Sequence, residues 1–498
     1  MRKLFSFLFL FFQSVYLFAQ SSPVKEYGDQ IKAEELKEYL SIIASDALEG
    51  RRTGTRGQKM AAAFIASHFQ EIGLKPPVNG TYYQPVELYS SSPAEVYVKA
   101  GDQRYDNFTS IFFTGSVETN GEVQSDIVFV GQGRAEEVSQ VDIKDKAVLL
   151  YTPGASSMSG LRAVASSLRE KGAKVIFIVF GGKEDYSSMA VQMKGFLSGG
   201  SLGLKKSENK GSFYIDQAVA EKLFKTTFAK LEAAAKADVA KALLKKIKPG
   251  KVVYKTSVNV KTVLSENVLG YMEGTDKKDE LVIVTAHYDH IGKGNGTTGD
   301  QINNGADDDG SGTVAVLEIA KAFAKAKQDG HGPRRSMLFM TVTGEEIGLL
   351  GSEYYVEHPV YPLDKTVMDF NIDMIGRRDP EHKDKPDYVY VIGADKLSSE
   401  LHEINERNNN TYTRLAFDYT YNDENHPTNL YKRSDHWNFA KNGIPIVFFF
   451  DGIHEDYHRP SDEVSKIEFD LETKRAQAAF YTIWEVANRD NRLVVDKK

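Results

Sequence analysis

Two adjacent glutamates, Glu345 and Glu346, follow an apolar run at residues 337–343 that is typical of a buried β-strand. Neighbouring side chains of an extended backbone point to opposite sides, so one carboxylate can bind a metal while the other faces a metal-bound water. A Glu-Glu pair taken alone more often marks a solvated helix start, because acidic side chains suit the positive end of the helix dipole. The chemistry of this pair therefore depends on what else converges on it.

Four other segments carry acidic or histidine side chains at the end of a predicted strand or the start of a predicted helix. They are His287-Tyr288-Asp289-His290, Asp307-Asp308-Asp309, Asn371-Ile372-Asp373 and the stretch from His454 to His458. Each has an ordinary alternative, such as a surface histidine, a helix cap or a turn, and the aspartate run lacks the spacing of an EF-hand loop. Together they favour a cation site, since gathered carboxylates repel one another unless cations neutralise them.

The donor set of two histidines and three carboxylates suits zinc, with manganese or cobalt as substitutes. It is too large for one catalytic zinc and fits two zinc ions, each with one histidine and one terminal carboxylate, plus a bridging carboxylate. Asp289, two residues after His287, is expected to accept the free imidazole N–H through its carboxylate. Glu345 is then free to act as general base. The chain has no cysteine, which excludes thiolate ligands, thiolate nucleophiles and disulfides.

A regular alternation of strands and helices must position these residues. Strands are predicted near residues 281–286, 336–343, 366–373, 388–392 and 444–450, and helices near residues 312–327, 346–357, 398–408 and 471–488. This order predicts an α/β fold with a mostly parallel mixed sheet covered by helices on both faces. In such sheets ligands collect beyond the carboxyl ends of the strands, where the acidic and histidine segments lie.

The 498 residues exceed what one core usually serves, which predicts two domains. Two helices, near residues 33–45 and 58–72, open the main domain. Residues 94–255 differ in character and predict a smaller α/β module: they contain strands near 126–130, 147–151 and 175–179, a helix near 160–171 and a basic helical stretch at 217–248. The prediction is a discontinuous catalytic domain at residues 24–93 and 256–490 with an insertion at 94–255.

The N-terminus indicates export. Basic residues Arg2 and Lys3 precede an apolar run and a small residue, Ala19, so residues 1–19 are predicted to be a cleaved signal peptide. The alternative is a membrane anchor, but the apolar run is short and is broken at Gln13 and Ser14. We expect a periplasmic or extracellular protein without stable membrane insertion. The 62 basic and 69 acidic residues give a net charge of −7, which argues against nucleic acid as a partner.

At these motifs the chain resembles the exported co-catalytic zinc aminopeptidases, a family that includes glutamate carboxypeptidase and a non-catalytic relative, the transferrin receptor. The similarity runs from Glu49-Gly50-Arg51 to Ser461-Asp462, interrupted by a module that resembles the protease-associated domain. The resemblance implies the zinc exopeptidase fold and these site residues: His287 and Asp373 on one zinc, Glu346 and His458 on the other, Asp308 bridging both, and Glu345 as base.

The resemblance also implies a cis peptide bond between Asp308 and Asp309 and a role for Tyr457 in stabilising the tetrahedral intermediate. The segment Ser434-Asp435-His436 resembles a family segment near the cleft and is assigned no role. The predicted function is hydrolysis of the N-terminal peptide bond of peptides by a water bridging two zinc ions.

Three alternatives stay open. A carboxypeptidase or dipeptidase on the same scaffold needs a cationic pocket for the substrate carboxylate, for which Arg377 and Arg378 are candidates, although a solvated pair is the simpler interpretation. A single-zinc glutaminyl cyclase agrees less well with a complete two-metal set. A binding relative without catalysis is disfavoured by the intact ligands and Glu345.

Overall fold

The computed structural model describes residues 23–497 apart from 155–157, 199, 242, 295 and 297, so the predicted signal peptide at residues 1–19 lies outside the described residues. The chain divides into two compact units. The first unit comprises Met1–Gln84 and Glu266–Lys498, and the second is Pro85–Ser265. The predicted insertion at residues 94–255 lies inside the second unit.

The helices, in chain order, are α1 (Pro23–Gly28), α2 (Ala33–Ile43), α3 (Arg56–Glu71), α4 (Ala135–Val138), α5 (Met158–Glu170), α6 (Lys183–Ser198), α7 (Gln217–Phe224), α8 (Phe228–Lys236), α9 (Gly312–Gln328), α10 (Leu350–Glu357), α11 (Ser399–Asn408), α12 (His436–Ala440) and α13 (Phe469–Asn488). The strands are β1 (Tyr83–Ala100), β2 (Gln103–Asp106), β3 (Ile111–Phe113), β4 (Val123–Phe129), β5 (Ala147–Thr152), β6 (Val175–Phe180), β7 (Ser201–Gly203), β8 (Phe213–Ile215), β9 (Gly250–Met272), β10 (Lys277–His287), β11 (Gly292–Lys293), β12 (Ile302–Asn303), β13 (Arg335–Val342), β14 (Thr366–Ile372), β15 (Tyr388–Ile392), β16 (Ala416–Asp418) and β17 (Ile446–Phe450).

The first unit is built on a mixed sheet with strand order β16-β15-β17-β14-β10-β13-β9. Its centre is parallel, since β10 pairs with β13 and β14, and β14 pairs with β17. The end of β9 is antiparallel to β13, and β15 is antiparallel to β17. Every residue of β13, β14 and β17 is buried, as expected for strands covered on both faces. The predicted fold class is confirmed.

Alternate residues of β10 enter two different cores. Val282 and Val284 pack with side chains of α9 and α13. Leu281 and Ile283 pack with side chains of α10 and α12. This alternation follows from the two-residue period of a strand and shows that helices cover both faces of the sheet.

The carboxyl ends of the parallel strands reach the same edge of the sheet. His287, the last residue of β10, is in register with Val342, the last residue of β13. The segments that follow β10, β13, β14 and β17, together with the segment that precedes α9, carry the residues that sequence reasoning singled out.

Helix α10 begins at Leu350, four residues later than predicted. Gly344, Gly348 and Leu349 have φ angles of 70°, 120° and 60°, which belong to the left-handed region and interrupt the helix. Glu345 and Glu346 therefore lie in a loop between β13 and α10 and not at the first turn of a helix.

In the second unit the first part of β9 is followed by the strands β4-β5-β6-β8-β3. Neighbours from β4 to β8 pair in parallel. One core joins the sheet to α7 and α8, and another joins its opposite face to α5 and α6. The basic stretch predicted at 217–248 is broken into separate helices because Lys225 adopts a left-handed conformation after α7. Among the described residues, no helix combines the length and apolar character needed to cross a membrane.

Candidate metal centre

The five predicted ligands come from five separate segments at the carboxyl edge of the first unit's sheet. His287 ends β10, Asp308 precedes α9, Glu346 lies in the loop after β13, Asp373 follows β14, and His458 lies in the loop after β17. The fold thus brings together residues that are up to 171 positions apart in the sequence.

Asp308 lies between two histidine–carboxylate pairs. His287 Nε2 is 3.3 Å from Asp308 Oδ1 and 3.5 Å from Asp373 Oδ1. His458 Nε2 is 3.1 Å from Asp308 Oδ2 and 3.1 Å from Glu346 Oε2. Donor atoms that share one tetrahedral zinc stand roughly 3.3 Å apart, given zinc–ligand bonds of about 2.0–2.1 Å. Both sets of atoms therefore have the spacing of a metal site, and Asp308 faces both.

His290 is a residue of this centre that sequence reasoning did not assign. Its Nδ1 lies 2.6 Å from Glu346 Oε1 and 3.8 Å from Asp308 Oδ2. The buried ring packs edge-on to that of His458, with centroids 5.7 Å apart. Gly305 leaves room for it, because a Cβ at that position would come within 2.6 Å of the His290 ring. The signal that could have found it is its position, three residues after His287 in the same turn.

Several buried polar atoms of the centre have no hydrogen-bond partner within the described part of the chain. They are both ring nitrogens of His290, Oδ2 of Asp308 and Oε1 of Glu346. The close approaches of these atoms to one another lack the angles of a hydrogen bond. Leaving such groups unpaired costs about 1–3 kcal/mol each, and more when the group is charged. Imidazole nitrogens and carboxylate oxygens that converge in this way fit a zinc ion.

Asp309 also lies within ligand range of His287 and Asp373. Its oxygens already accept backbone N–H groups, however: Oδ2 accepts from His287 at 3.1 Å, and Oδ1 accepts from Gly312 at 2.8 Å and Met374 at 3.1 Å. Asp309 thus ties the end of β10, the start of α9 and the segment after β14 together. The peptide bond between Asp308 and Asp309 is cis, as the resemblance implies.

The charges of the centre favour positive charge at the imidazoles. Burial alone would lower the pKa of His287, but the carboxylates of Glu345 and Asp373 raise it well above its usual value. In the same way, Asp308 and Glu346 outweigh burial and raise the pKa of His458 to about 10. Burial opposes ionisation of Asp308, yet the surrounding imidazoles hold its pKa well below the usual range. The cavity is therefore strongly anionic and suited to cations.

Glu345 differs from Glu346 in its surroundings. Its Oε2 is 3.8 Å from His287 Nε2, and the side chain lines an open cleft beside the centre. Burial raises the pKa of Glu345 well above its usual value, and the nearby carboxylates of Asp373, Glu346 and Asp435 add to the increase. A carboxyl group with a raised pKa is suited to accept and release a proton near neutral pH.

Asp289 lies behind His287, but its contact differs from the predicted one. His287 Nδ1 is 3.0 Å from the backbone oxygen of Asp289 and 3.9 Å from its carboxylate Oδ1. The carboxylate instead accepts the Thr53 hydroxyl at 2.7 Å and the Glu345 backbone N–H at 3.2 Å. Burial raises the pKa of Asp289 to about 6. The carboxylate therefore fixes the Glu345 loop, and the backbone orients the imidazole.

Comparison with known proteins places these residues within a family. Residues 267–483 match the model of peptidase family M28. Within this segment the chain is similar to the peptidases of family M28. The matched segment contains the five predicted ligands, Glu345 and His290.

Curated and structural relatives agree with the M28 match. The chain is 26% identical to aminopeptidase YwaD of Bacillus subtilis over 244 residues, 47% of each protein. It is 24% identical to a glutamate carboxypeptidase 2 homolog of Caenorhabditis elegans over 421 residues, 70% of this chain and 52% of the relative. The chain thus spans about half the length of these curated relatives.

Two solved structures have the same fold over nearly the whole chain. The aminopeptidase from Aneurinibacillus sp. strain AM-1 has a TM-score of 0.57 at 20% identity and covers 95% of this chain and 98% of its own. The zinc aminopeptidase BSAP from Bacillus subtilis has a TM-score of 0.52 at 19% identity and covers 94% and 99%.

The two ends of the predicted similarity contact the loop that carries Asp308. Arg51 is buried and donates to four backbone oxygens, those of Tyr288, Ile43, Asn304 and Gly305, at 2.8, 2.8, 2.6 and 2.9 Å. Asp462 accepts the backbone N–H of Asp307 at 3.1 Å and that of Asp308 at 3.2 Å. Both residues hold the segment that carries Asp308, without lying among its candidate metal ligands.

Ser434, in the segment to which the sequence assigned no role, contacts a predicted ligand. Its hydroxyl donates to Asp373 Oδ2 at 2.6 Å and accepts from Asn371 Nδ2 at 3.0 Å. Asp373 Oδ1 is thereby left to face His287. Ser434 orients the Asp373 carboxylate.

Tyr457 stacks on His458, with ring centroids 3.9 Å apart, and lines the cleft. Burial raises the pKa of its hydroxyl well above the usual value, and the nearby carboxylates of Asp308 and Glu346 raise it further. The hydroxyl therefore stays protonated and able to donate a hydrogen bond.

Arg377 and Arg378 are paired with acidic side chains. Arg377 is buried, and its Nη2 lies 3.1 Å from Asp456 Oδ2. Arg378 lies 2.6 Å from Asp387 and 3.0 Å from Glu468. Neither arginine lines the cleft, so the structure does not support them as a carboxylate-binding pocket.

Proposed function

We propose that this chain belongs to peptidase family M28 and is a metallo-aminopeptidase that uses two zinc ions to remove N-terminal residues from peptides. The observation that carries the proposal is the position of Asp308, whose two oxygens face two separate histidine–carboxylate pairs at 3.1–3.5 Å. The names of the B. subtilis relative and of the solved structures support aminopeptidase activity.

The side chains of the candidate metal centre are suited to hold two zinc ions. In the proposal His287 and Asp373 would hold one, His458 and Glu346 would hold the other, and Asp308 is placed to serve both. The unpaired Oδ2 of Asp308, which faces His458, supports this assignment. When bound, zinc ions supply positive charge that polarises a carbonyl and lowers the pKa of water.

We assign His290 to the orientation of Glu346. The 2.6 Å between His290 Nδ1 and Glu346 Oε1 is a close contact between opposite partial charges that holds this carboxylate oxygen in place. It is shorter than the roughly 3.3 Å between two ligands of one tetrahedral zinc. Glu346 Oε2, which faces His458, then remains available to the metal.

Glu345 is the general base in this proposal. Its carboxylate accepts the proton of the attacking water and returns it to the amine that leaves. The raised pKa of Glu345 and its place in the cleft beside His287 support both steps. The Tyr457 hydroxyl donates a hydrogen bond to the oxygen that gains negative charge as the carbonyl is attacked.

The apolar lining of the cleft also supports a peptide substrate with an apolar N-terminal residue. Met374, Leu430, Phe448 and Phe450 line it, next to the base Glu345. Burying an apolar side chain against such walls contributes roughly 1.5–3 kcal/mol to binding. Leucyl, methionyl and phenylalanyl substrates are therefore the first to test.

A substrate panel with metal analysis tests the proposed function. The purified chain should contain two zinc ions and release the first residue from peptides with a free amino terminus. N-acetylation of the peptide or treatment with a chelator should abolish the reaction, and added zinc should restore activity after chelation. Release of C-terminal residues from N-acetylated peptides would instead indicate a carboxypeptidase.

We further propose that the enzyme is exported and that residues 85–265 form a protease-associated domain. The basic and apolar pattern of residues 1–19 supports export. The second unit has its own two hydrophobic cores and interrupts the catalytic unit in the sequence, which supports an inserted domain. Cell fractionation with an antibody against the chain tests the location.

A further inference from the structure

The cleft beside the metal centre has apolar walls and an acidic base. Its lining residues are His287, Asp308, Glu345, Asp373, Met374, Leu430, Arg433, Ser434, Phe448, Phe450, Ile453 and Tyr457. It encloses about 50 Å³ and opens to solvent, so a substrate extends past its rim. Among these described lining residues, Arg433 is the one that carries a guanidinium.

Arg433 is exposed, and its side chain has no salt bridge or hydrogen bond to the described residues of the chain. The other arginines of this region differ: Arg377 pairs with Asp456, and Arg378 pairs with Asp387 and Glu468. A guanidinium presents five N–H donors in a planar fork that matches both oxygens of a carboxylate. Within the described part of the chain, the donors of the Arg433 guanidinium are therefore free to bind a ligand.

The position of Arg433 at the rim is fixed by its neighbours. Its backbone N–H donates to the oxygen of Leu430 at 3.0 Å. The next residue, Ser434, donates to Asp373 Oδ2 at 2.6 Å and so anchors the segment to the metal centre. The long side chain of Arg433 thus starts from a backbone that is held beside the reacting groups.

We propose that Arg433 binds a carboxylate of the peptide substrate, an inference that rests on the proposed function. A peptide substrate can carry such a carboxylate in two places. One is the α-carboxylate of a dipeptide, which lies one residue beyond the bond that is cleaved. The other is the side-chain carboxylate of an acidic residue next to that bond. In either case Arg433 determines which peptides the centre prefers.

The test compares substrate pairs that differ in one carboxylate. Leucyl-glycine and leucyl-glycinamide report on the α-carboxylate, and glutamyl and glutaminyl p-nitroanilides report on the side chain. In Arg433→Met the ratio of kcat/KM within one pair should fall about tenfold to a hundredfold, mainly through KM, because a charge-assisted hydrogen-bonded pair is lost. The substrate pair whose kcat/KM ratio falls identifies which carboxylate Arg433 binds. Arg433→Lys should give a kcat/KM ratio between that of Arg433→Met and that of the wild type.

Lys432→Met is the matched control. Lys432 is an exposed neighbouring cation that lies over the Trp437 ring at 5.2 Å and does not line the cleft. Its variant should keep the wild-type ratios. Unchanged ratios in Arg433→Met, or an equal loss on all four substrates, would overturn the inference while leaving the aminopeptidase proposal intact. Absence of hydrolysis of all four by the zinc-loaded wild-type chain would instead defeat the proposed function itself.

Discussion

Glu345 and Glu346 are neighbours in the sequence and have opposite tasks in the proposed mechanism. Glu346 is held between His458 and His290, whereas Glu345 faces the open cleft. Glu345→Gln should keep two zinc ions per chain and lower kcat about 10²–10⁴-fold, because a general base is lost and the ligands remain. Metal content by mass spectrometry and kcat with leucyl p-nitroanilide measure the two effects.

Asp308→Ala is the matched comparison for Glu345→Gln. It should lose metal as well as activity, because one oxygen of Asp308 faces each histidine. A fully active Glu345→Gln enzyme would contradict its role as base. Two tightly bound zinc ions in Asp308→Ala would contradict the bridging assignment.

His290 should control metal affinity without being required for metal binding. Removing a group that orients a metal ligand typically weakens metal binding 10–100-fold. His290→Asn should therefore bind zinc more weakly in competition with a chromogenic chelator, yet reach the wild-type metal content at high zinc. His331→Asn, at an exposed histidine outside the centre, serves as control. Complete failure to bind the second ion at high zinc would make His290 a ligand and not a positioning residue.

At the scale of elements, continuous apolar runs were predictable and left-handed turns were not. Strand β15 was predicted with its observed limits because its five apolar residues end at Gly393. The predicted start of α10 was wrong because Gly348 and Leu349 both adopt left-handed conformations, and at Leu349 this conformation has no sequence signal. Strand β9 was missed since its middle, around residues 255–266, is polar and partly exposed.

The same reasons explain which residues of the candidate site could be predicted from the sequence. Residues at the ends of strongly apolar strands, such as His287 and Asp373, could be predicted because parallel strands end at one edge. His290 and the backbone contact of Asp289 depend on the path of the turn after β10. That path is set by tertiary contacts such as the hydrogen bond from Arg51 to the Tyr288 oxygen, which no local pattern encodes.

Helix α9 carries a buried carboxyl group that should make stability depend on pH. Burial raises the pKa of Glu318 from 4.5 to about 8, opposed by Lys321 and reinforced by Glu35. The folded state then binds a proton that the unfolded state releases, so the free energy of unfolding should fall as pH rises from 4.5 to 8. The slope is at most about 1.4 kcal/mol per pH unit.

Glu318→Gln tests this dependence, since it keeps the shape of the side chain and removes the titrating group. Urea unfolding at pH 6 and pH 8 should show a smaller loss of stability in Glu318→Gln than in the wild type. Asp329→Asn, at an exposed carboxylate just after α9, should retain the wild-type difference. Equal pH dependence in Glu318→Gln and wild type would contradict the assignment.

At the scale of the whole molecule, the unit boundaries differ from the predicted domain limits for a structural reason. The boundaries at Gln84/Pro85 and Ser265/Glu266 fall inside strands β1 and β9. Composition changes and turn residues mark loops, so a boundary that lies within a strand leaves no such mark. The content of the second unit, with parallel strands and helices on both faces of its sheet, was nonetheless visible in its apolar runs.

Zinc should stabilise the first unit, where all the proposed ligands lie. Both tryptophans of the chain, Trp437 and Trp484, belong to this unit, so their fluorescence reports its unfolding alone. A ligand present at 100 times its dissociation constant stabilises the state that binds it by about 2.7 kcal/mol. Chelation should therefore lower the Tm measured by tryptophan fluorescence, and added zinc should restore it. The Asp308→Ala variant should melt at the lower temperature with or without zinc. If chelation abolished hydrolysis but did not change the Tm measured by fluorescence, the metals would not stabilise this unit.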